Sequence, residues 1–304
     1  MSENTARKPV PDGAQTAQAA QPASLNLWQA AGRRLMRKPA AMISLAYILT
    51  LIVVAVFADQ IAPYSYELQN YDVVKVNPLT PGYILGTDSL GRDILSRMMY
   101  GARVSMSVGF VVLGIGVTVG ITLGALAGYF GGVVDMVISR ITDMMFAFPD
   151  MLLAILIMGI RGPGIANLFI ALGIVAWPSM ARLVRGQILA LKERDYVQAA
   201  QSLGSNDNRI ILRHLLPNIM SPVLVQATLS LGQVILAESA LSFLGIGIRP
   251  PFPSWGSIVS EMVTLIYSQP ILLLAPSLVL AATVLAFNFL GDGLRDALDP
   301  RLKH

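Results

Sequence analysis

The chain of 304 residues holds two histidines, His214 and His304, and no cysteine. Thiolate metal sites, cysteine nucleophiles and disulfides are thereby excluded, and two histidines far apart in sequence make neither a metal cluster nor a nucleophile–base pair. No catalytic or metal-binding set is expected. The segment GTDSLGRD, residues 86–93, has the glycine spacing of a phosphate-binding loop, but Arg92 and Asp93 stand where that loop needs Lys followed by Ser or Thr. The glycines at 114, 116 and 120 miss the dinucleotide-binding spacing and sit inside an apolar run. The main candidate for chemistry is Glu238, flanked on both sides by apolar sequence. An ionisable side chain at membrane depth is costly and faces a cavity or a protein partner. At 1.5 Å per residue Glu238 lies roughly 28 Å along a helix starting at Ile219, towards its outer end. It is a candidate for the wall of a translocation pathway; the alternative is a glutamate hydrogen-bonded to a neighbouring helix or to interfacial water. Asp143, three residues after Arg140, has the spacing of a same-face ion pair.

The elements that must position these groups follow from composition. With 54% hydrophobic and 13% charged residues, the chain reads as an all-α integral membrane protein. Residues 1–24 lack large apolar side chains and are expected to form a disordered tail. Residues 25–38 mix apolar positions with Arg33, Arg34, Arg37 and Lys38, the pattern of a helix lying at the membrane surface. Residues 40–58 carry no charge and suit a spanning helix rather than a cleaved signal segment, whose apolar region is shorter. Further spans are expected at 104–130, 144–160 (starting as early as Val133), 165–181, 219–245 and 271–290, six transmembrane helices in all. Placing the N-terminus inside leaves only Lys75, Arg92, Arg97, Arg103, Arg161 and Arg249 outside, of 22 Lys and Arg. Both termini are therefore expected in the cytoplasm. The net charge of +4 is explained by this topology, and no nucleic-acid partner is expected.

Within the second span Gly116, Gly120, Gly124 and Gly128 recur every four residues, forming a ridge without side chains on which another helix can lie closely. It serves either ordinary helix packing or a sliding surface. Kinks are expected near Pro149 and Pro276, whereas Pro222 near a helix start costs little. Between two apolar spans, residues 196–218 read YVQAAQSLGSNDNRIILRHLLPN. Tyr196, Ala199, Ala200 and Leu203 follow the i, i+3, i+4, i+7 pattern of a short helix with one apolar face. Gly204 suits a left-handed helix end, Ser205 an N-cap of a second short helix, and Leu216-Pro217 its stop before the fifth span.

At these residues the sequence resembles the cytoplasmic loop of permease subunits of binding-protein-dependent ABC importers, whose pattern is Glu-Ala-Ala, a glycine, and an Ile-x-Leu-Pro-like end. The matching residues are Gln198-Ala199-Ala200, Gly204 and Leu215-Leu216-Pro217. LGTDSLGRDILSRMMYGARVSMSVG (85–109), FLGIGIRPPFPSWG (243–256) and FNFLGDGLRDALDPR (287–301) are similar to the dipeptide/oligopeptide/nickel permease family, and the basic N-terminal segment resembles its C-type subunit. The resemblance covers residues 25–302.

It implies a type I ABC importer permease in a bacterial or archaeal cytoplasmic (inner) membrane. Residues 1–24 are the cytoplasmic tail, and 25–100 the interfacial helix, first span and extracytoplasmic segment. Residues 101–292 form the permease core with a coupling loop at 187–218, and 293–304 a cytoplasmic tail. The implied partners are a homologous second permease, two ABC ATPase subunits that use ATP and Mg, an extracytoplasmic substrate-binding protein, and membrane lipid. This chain itself is implied to bind no cofactor and to catalyse no reaction. Residues 196–216 are implied to hold the coupling helix that docks on an ATPase. Residues 59–100 and the proline-rich turn, with Arg249, Pro251, Pro253 and Trp255, are implied to meet the binding protein. Gln198 stands where the family often has Glu, so an ion pair there is lost. Dipeptides, longer peptides, glutathione and nickel chelates are the substrate classes implied. The rival classes are a secondary transporter, which needs acidic residues or broken helices near the midplane, and a non-transporting membrane scaffold.

Overall fold

A computed structural model describes residues 27–299. The expected tail at 1–24 and the end of the C-terminal tail lie outside the described residues. The helices are α1 (Leu27–Met36), α2 (Pro39–Val56), α3 (Ile94–Phe130), α4 (Gly132–Ala147), α5 (Asp150–Arg161), α6 (Ile165–Leu191), α7 (Asp195–Ser202), α8 (Asp207–Phe243), α9 (Trp255–Val263) and α10 (Pro270–Leu298). No β-strand occurs among the described residues, only isolated bridges between Thr80 and Tyr83 and between Thr87 and Asp93.

Local chemistry accounts for the helix ends. Pro39 starts α2 with its fixed φ and forces Lys38 into extended backbone. Asp93 caps α3 by accepting the Ser96 amide, so this helix begins ten residues before the expected apolar start, and Gly131 (φ 66°) ends it.

Five helices, α2, α3, α6, α8 and α10, are long and apolar enough to span a membrane. The third expected span, 144–160, is not one straight helix. It is split between α4 and α5, which meet at 87°. Pro149 has no amide to continue α4 and holds Phe148 in extended backbone (φ −102°, ψ 136°), so the kink expected there is a full break. At Pro276, by contrast, α10 runs on as one helix.

The most extensive helix contact joins α3 to α6. A Cβ added at Gly120 or Gly124 would lie 2.5 Å from Met180 Cβ or the Ala181 carbonyl oxygen, and at Gly116 or Gly128 3.0 Å from Ala176 Cβ or the Arg185 carbonyl oxygen. The backbone of α6 thus rests on the glycine ridge, and no side chain fits between. Gly124→Leu is expected to destabilise the bundle by about 1–3 kcal/mol through overpacking. A lower thermal midpoint in detergent would show it, whereas Gly114→Leu, where a Cβ meets nothing within 4 Å, should melt like the parent.

Other elements close the bundle. Ala31 and Leu35 of α1 pack on Ala297 and Leu298 of α10, and Lys38 pairs with Asp296. The Arg140–Asp143 pair is absent: Asp143 instead meets Arg182 of α6 at 2.8 Å, one turn along α6 from the Asp135–Arg185 pair. Two carboxylates of α4 therefore grip two guanidiniums of α6, across helices rather than along one.

Candidate functional site

The loop after α6 is a rigid extension of the spans. Val197 of α7 is buried in a cluster with Ile188, Ile210, Ile211 and Leu215, and Ala200 on the same helix is buried as well. Tyr196, Ala199 and Leu203 point the other way and are exposed, Leu203 to 86%. The single apolar face expected for α7 is thus two stripes, one buried inward and one bare. Val197, which the sequence reading missed, is the anchor; it lies three residues before Ala200, and only the choice of Tyr196 as the start of the pattern hid it.

Gly204 (φ 76°) ends α7, with its amide bonded to the Gln201 carbonyl and the Ser205 amide to that of Ala200. This pair of bonds is a Schellman turn, which needs the left-handed residue at its centre. The N-cap of α8 is Asn206 rather than Ser205, since its side chain accepts the Arg209 amide at 3.0 Å. Leu216 and Pro217 do not stop the second helix either. A π segment, Ile210–Leu215, joins it to the fifth span, and Pro217 falls in the first turn after it, where a missing amide costs little. Gln198 donates its side-chain amide to the Glu193 carbonyl, a bond a carboxylate could not make, so the residue that departs from the common pattern is tied to its own loop. Beside it, Lys192, Glu193, Gln198, Gln201 and Asp207 edge a polar groove of about 460 Å³.

At the opposite end, residues 57–93 form an irregular cap pinned by buried charge. Asp88 accepts from Arg92 Nε and Arg97 Nη1, both at 2.6 Å, and from the amides of Leu90 and Arg92. Both guanidiniums also reach Glu261 of α9. All the charged side chains of the GTDSLGRD segment are thus taken up in structure, Asp93 as the α3 cap. Outside this network Asp59 accepts two bonds from Arg103, which hold its carboxyl below the usual carboxylate range.

The proline-rich turn between α8 and α9 exposes Arg249, Pro251 and Phe252 but buries Pro253 and Trp255. Trp255 is fully enclosed and donates its indole N–H to the Met98 carbonyl. Neither Pro253 nor Trp255 is available as a surface contact, because the same aromatic bulk that marks interfaces fills the core between α3 and α9. Next to the turn, Tyr66, Tyr100, Phe169 and Phe252 line an apolar pocket of about 250 Å³ that the sequence reading did not anticipate.

Glu238 is also fully enclosed. Its carboxyl meets the hydroxyls of Ser105, Ser239 and Ser242. The hydrogen-bonded alternative, with partners on α3 and on its own helix, is the one observed.

Comparison with known proteins joins these features. Residues 120–304 match the family described as "Binding-protein-dependent transport system inner membrane component", and residues 26–81 match the "N-terminal TM domain of oligopeptide transport permease C". The chain is 45% identical over 277 residues, 91% of each chain, to the glutathione transport system permease protein GsiD of Escherichia coli O6:K15:H31 (strain 536 / UPEC). It is similar to the same degree to GsiD of Shigella boydii serotype 4 (strain Sb227). Among solved structures, an inward-facing MetNI methionine ABC transporter chain matches with a TM-score of 0.55 and 18% identity, covering 68% of this chain and 98% of that one. A chain of an amino acid ABC transporter matches with a TM-score of 0.51 and 17% identity, covering 68% and 95%. At these identities the structural likeness concerns the fold alone.

Proposed function

We propose, from the premise that this chain belongs to the family of binding-protein-dependent transport system inner membrane components, that it forms one half of the pore of an importer for small peptides and glutathione. It is a permease subunit of an ABC importer, a transport component and not an enzyme. The other half is a homologous second permease, and two ATPase subunits supply the energy by hydrolysing Mg-ATP. The observation that carries this reading is the bare strip Tyr196–Ala199–Leu203 on a helix whose other side is locked into the spans. An apolar strip at the end of the bundle suits a groove on a protein that moves it, and the small Ala199 at its centre allows close approach.

The charge distribution favours the α7 end as cytoplasmic and the 57–93 cap as extracytoplasmic in an inner membrane. In that orientation the exposed turn tip, Arg249, Pro251 and Phe252, together with the aromatic pocket beside it, faces the binding protein. Access to the pathway alternates as the ATPases close and open. The glutathione assignment is supported by the substrate named for the relatives that are 45% identical. An ion-coupled carrier is disfavoured because Glu238, its chief acidic candidate, is enclosed within this chain and hydrogen-bonded to Ser105, Ser239 and Ser242.

The chain, affinity-tagged and purified with its partner subunits, should take up labelled glutathione into proteoliposomes only when ATP is inside-accessible and the binding protein is outside. Excess dipeptide should compete. Uptake by this chain alone under a proton or sodium gradient would overturn the importer reading, and uptake competed by neither compound would overturn the substrate class.

A further inference from the structure

Glu238 has no ion-pair partner among the described residues, and the burial of an acidic group in this place has a structural consequence of its own. Its carboxyl meets a serine hydroxyl at each oxygen. Its Oε2 takes the Ser105 hydroxyl and its Oε1 the Ser242 hydroxyl, both at 2.8 Å. Each serine's single hydrogen is thereby committed to Glu238, and its oxygen lone pairs are left to accept. They are used: the Trp255 amide donates to Ser105 Oγ at 3.3 Å, and the Ile248 amide to Ser242 Oγ at 3.4 Å. Ile248 and Trp255 stand on either side of the exposed tip of the proline-rich turn, so one carboxyl orients the acceptors for both of its ends.

The turn lies directly on α8. A Cβ added at Gly247 would stand 2.4 Å from Ser242 Oγ, and one at Gly256 2.1 Å from the Ser239 carbonyl oxygen. Phe243 at the end of α8 accepts the Ser260 hydroxyl of α9. From there α8 is unbroken for 37 residues back to Asp207, about 55 Å at the helical rise. At that far end Ile210, Ile211 and Leu215 pack on Val197 beneath the bare strip of α7.

We propose that Glu238 is a positioning residue for coupling: through Ser105 and Ser242 it clasps both ends of the proline-rich turn to α3 and α8, so that a load on the Arg249–Phe252 tip is delivered along α8 to α7. The inference rests on the importer reading. Glu238→Leu removes both serine acceptors' orientation, and the double variant Ser105→Ala/Ser242→Ala removes the serines while keeping the carboxyl. Glu238→Gln, with one acceptor and one donor end, keeps one of the two relays.

The test compares these variants in the purified complex, measuring ATP hydrolysis with and without the binding protein loaded with glutathione. Stimulation by the binding protein is expected to fall about tenfold or more in Glu238→Leu and in the double serine variant, and less in Glu238→Gln. Hydrolysis without the binding protein should stay at the parent level, and deuterium exchange in the 244–256 segment should rise in the same order. Equal loss of basal and stimulated hydrolysis would reduce Glu238 to a fold-stability residue and overturn the proposal, as would parental stimulation in the double serine variant. If the unaltered complex shows no stimulation by the binding protein, the importer reading itself fails; if it does and Glu238→Leu does too, only this inference fails.

Discussion

Leu203→Asp is expected to abolish ATP-driven uptake while the purified chain melts at the parent temperature and inserts normally. Leu203 is 86% exposed in this chain and ends the strip begun by Tyr196 and Ala199. Exposure on that scale leaves little apolar burial to lose in the isolated subunit, so the fold should tolerate the charge. In a docked complex the same carboxylate would be desolvated in an apolar groove without a partner, at a cost of about 2 kcal/mol or more, roughly a 30-fold loss of association. Co-purification of the ATPase subunits and uptake into proteoliposomes are the measurements. Full retention of both would show that the strip is not the docking surface. Gly204→Val probes the same surface from behind. At φ 76° a β-branched residue is strained by about 1–2 kcal/mol, although nothing stands within 4 Å of its Cβ. It should misplace Leu203 and lower uptake, with less effect on docking than the direct charge.

The second large effect is expected at Asp88. Asp88, Arg92, Arg97 and Glu261 form a network that balances two positive with two negative side chains, in which Asp88 and Arg97 are almost wholly enclosed. Asp88→Ala leaves two guanidiniums with one partly exposed carboxylate and strands the Leu90 and Arg92 amides. Breaking one side of a buried pair costs about 3–5 kcal/mol. The loss falls on the cap, so backbone amides of residues 57–93 should lose about 100-fold or more of their protection from exchange, with faster proteolysis there. Asp88→Asn retains an acceptor for the two amides but loses the charge, and an intermediate loss is expected. Unchanged exchange in Asp88→Ala would mean that the cap is held by its apolar contacts, such as Leu85 against the cluster of Ile94, Met98, Ile258 and Met262.

Much of the architecture was legible in the residues. A charge-free run such as 40–56 admits few environments, and Gly204 in its turn and the four-residue glycine spacing in α3 each carry a local steric requirement. Errors arose where the outcome depended on which partner a residue meets. Asp143 has Arg140 one turn away in its own helix, yet it pairs with Arg182 of the neighbouring α6. Asn206 and Ser205 are both competent caps, and the Schellman turn at Gly204 occupies the Ser205 amide, leaving the following residue to begin α8. Trp255 and Pro253 look like a contact surface in a proline-rich loop, but α9 folds back and buries both.

The sequence by itself determined the membrane class, the presence and order of five long spans though not all of their ends, and the short helix closed by Gly204. These are one-body properties: hydropathy averaged over about 20 residues, helical period, and the φ that only glycine adopts without strain. The tertiary structure decided which groups meet across the fold, as when Ser105 finds Glu238 at a separation of 133 residues and Arg97 finds Glu261 at 164. Periodicity reports that a face is apolar but not what lies on it, because lipid and a neighbouring helix are equally acceptable to the same side chains. That ambiguity is why Glu238 read equally well as a cavity wall or a bonded glutamate, and only the approach of α3 and the proline-rich turn enclosed it.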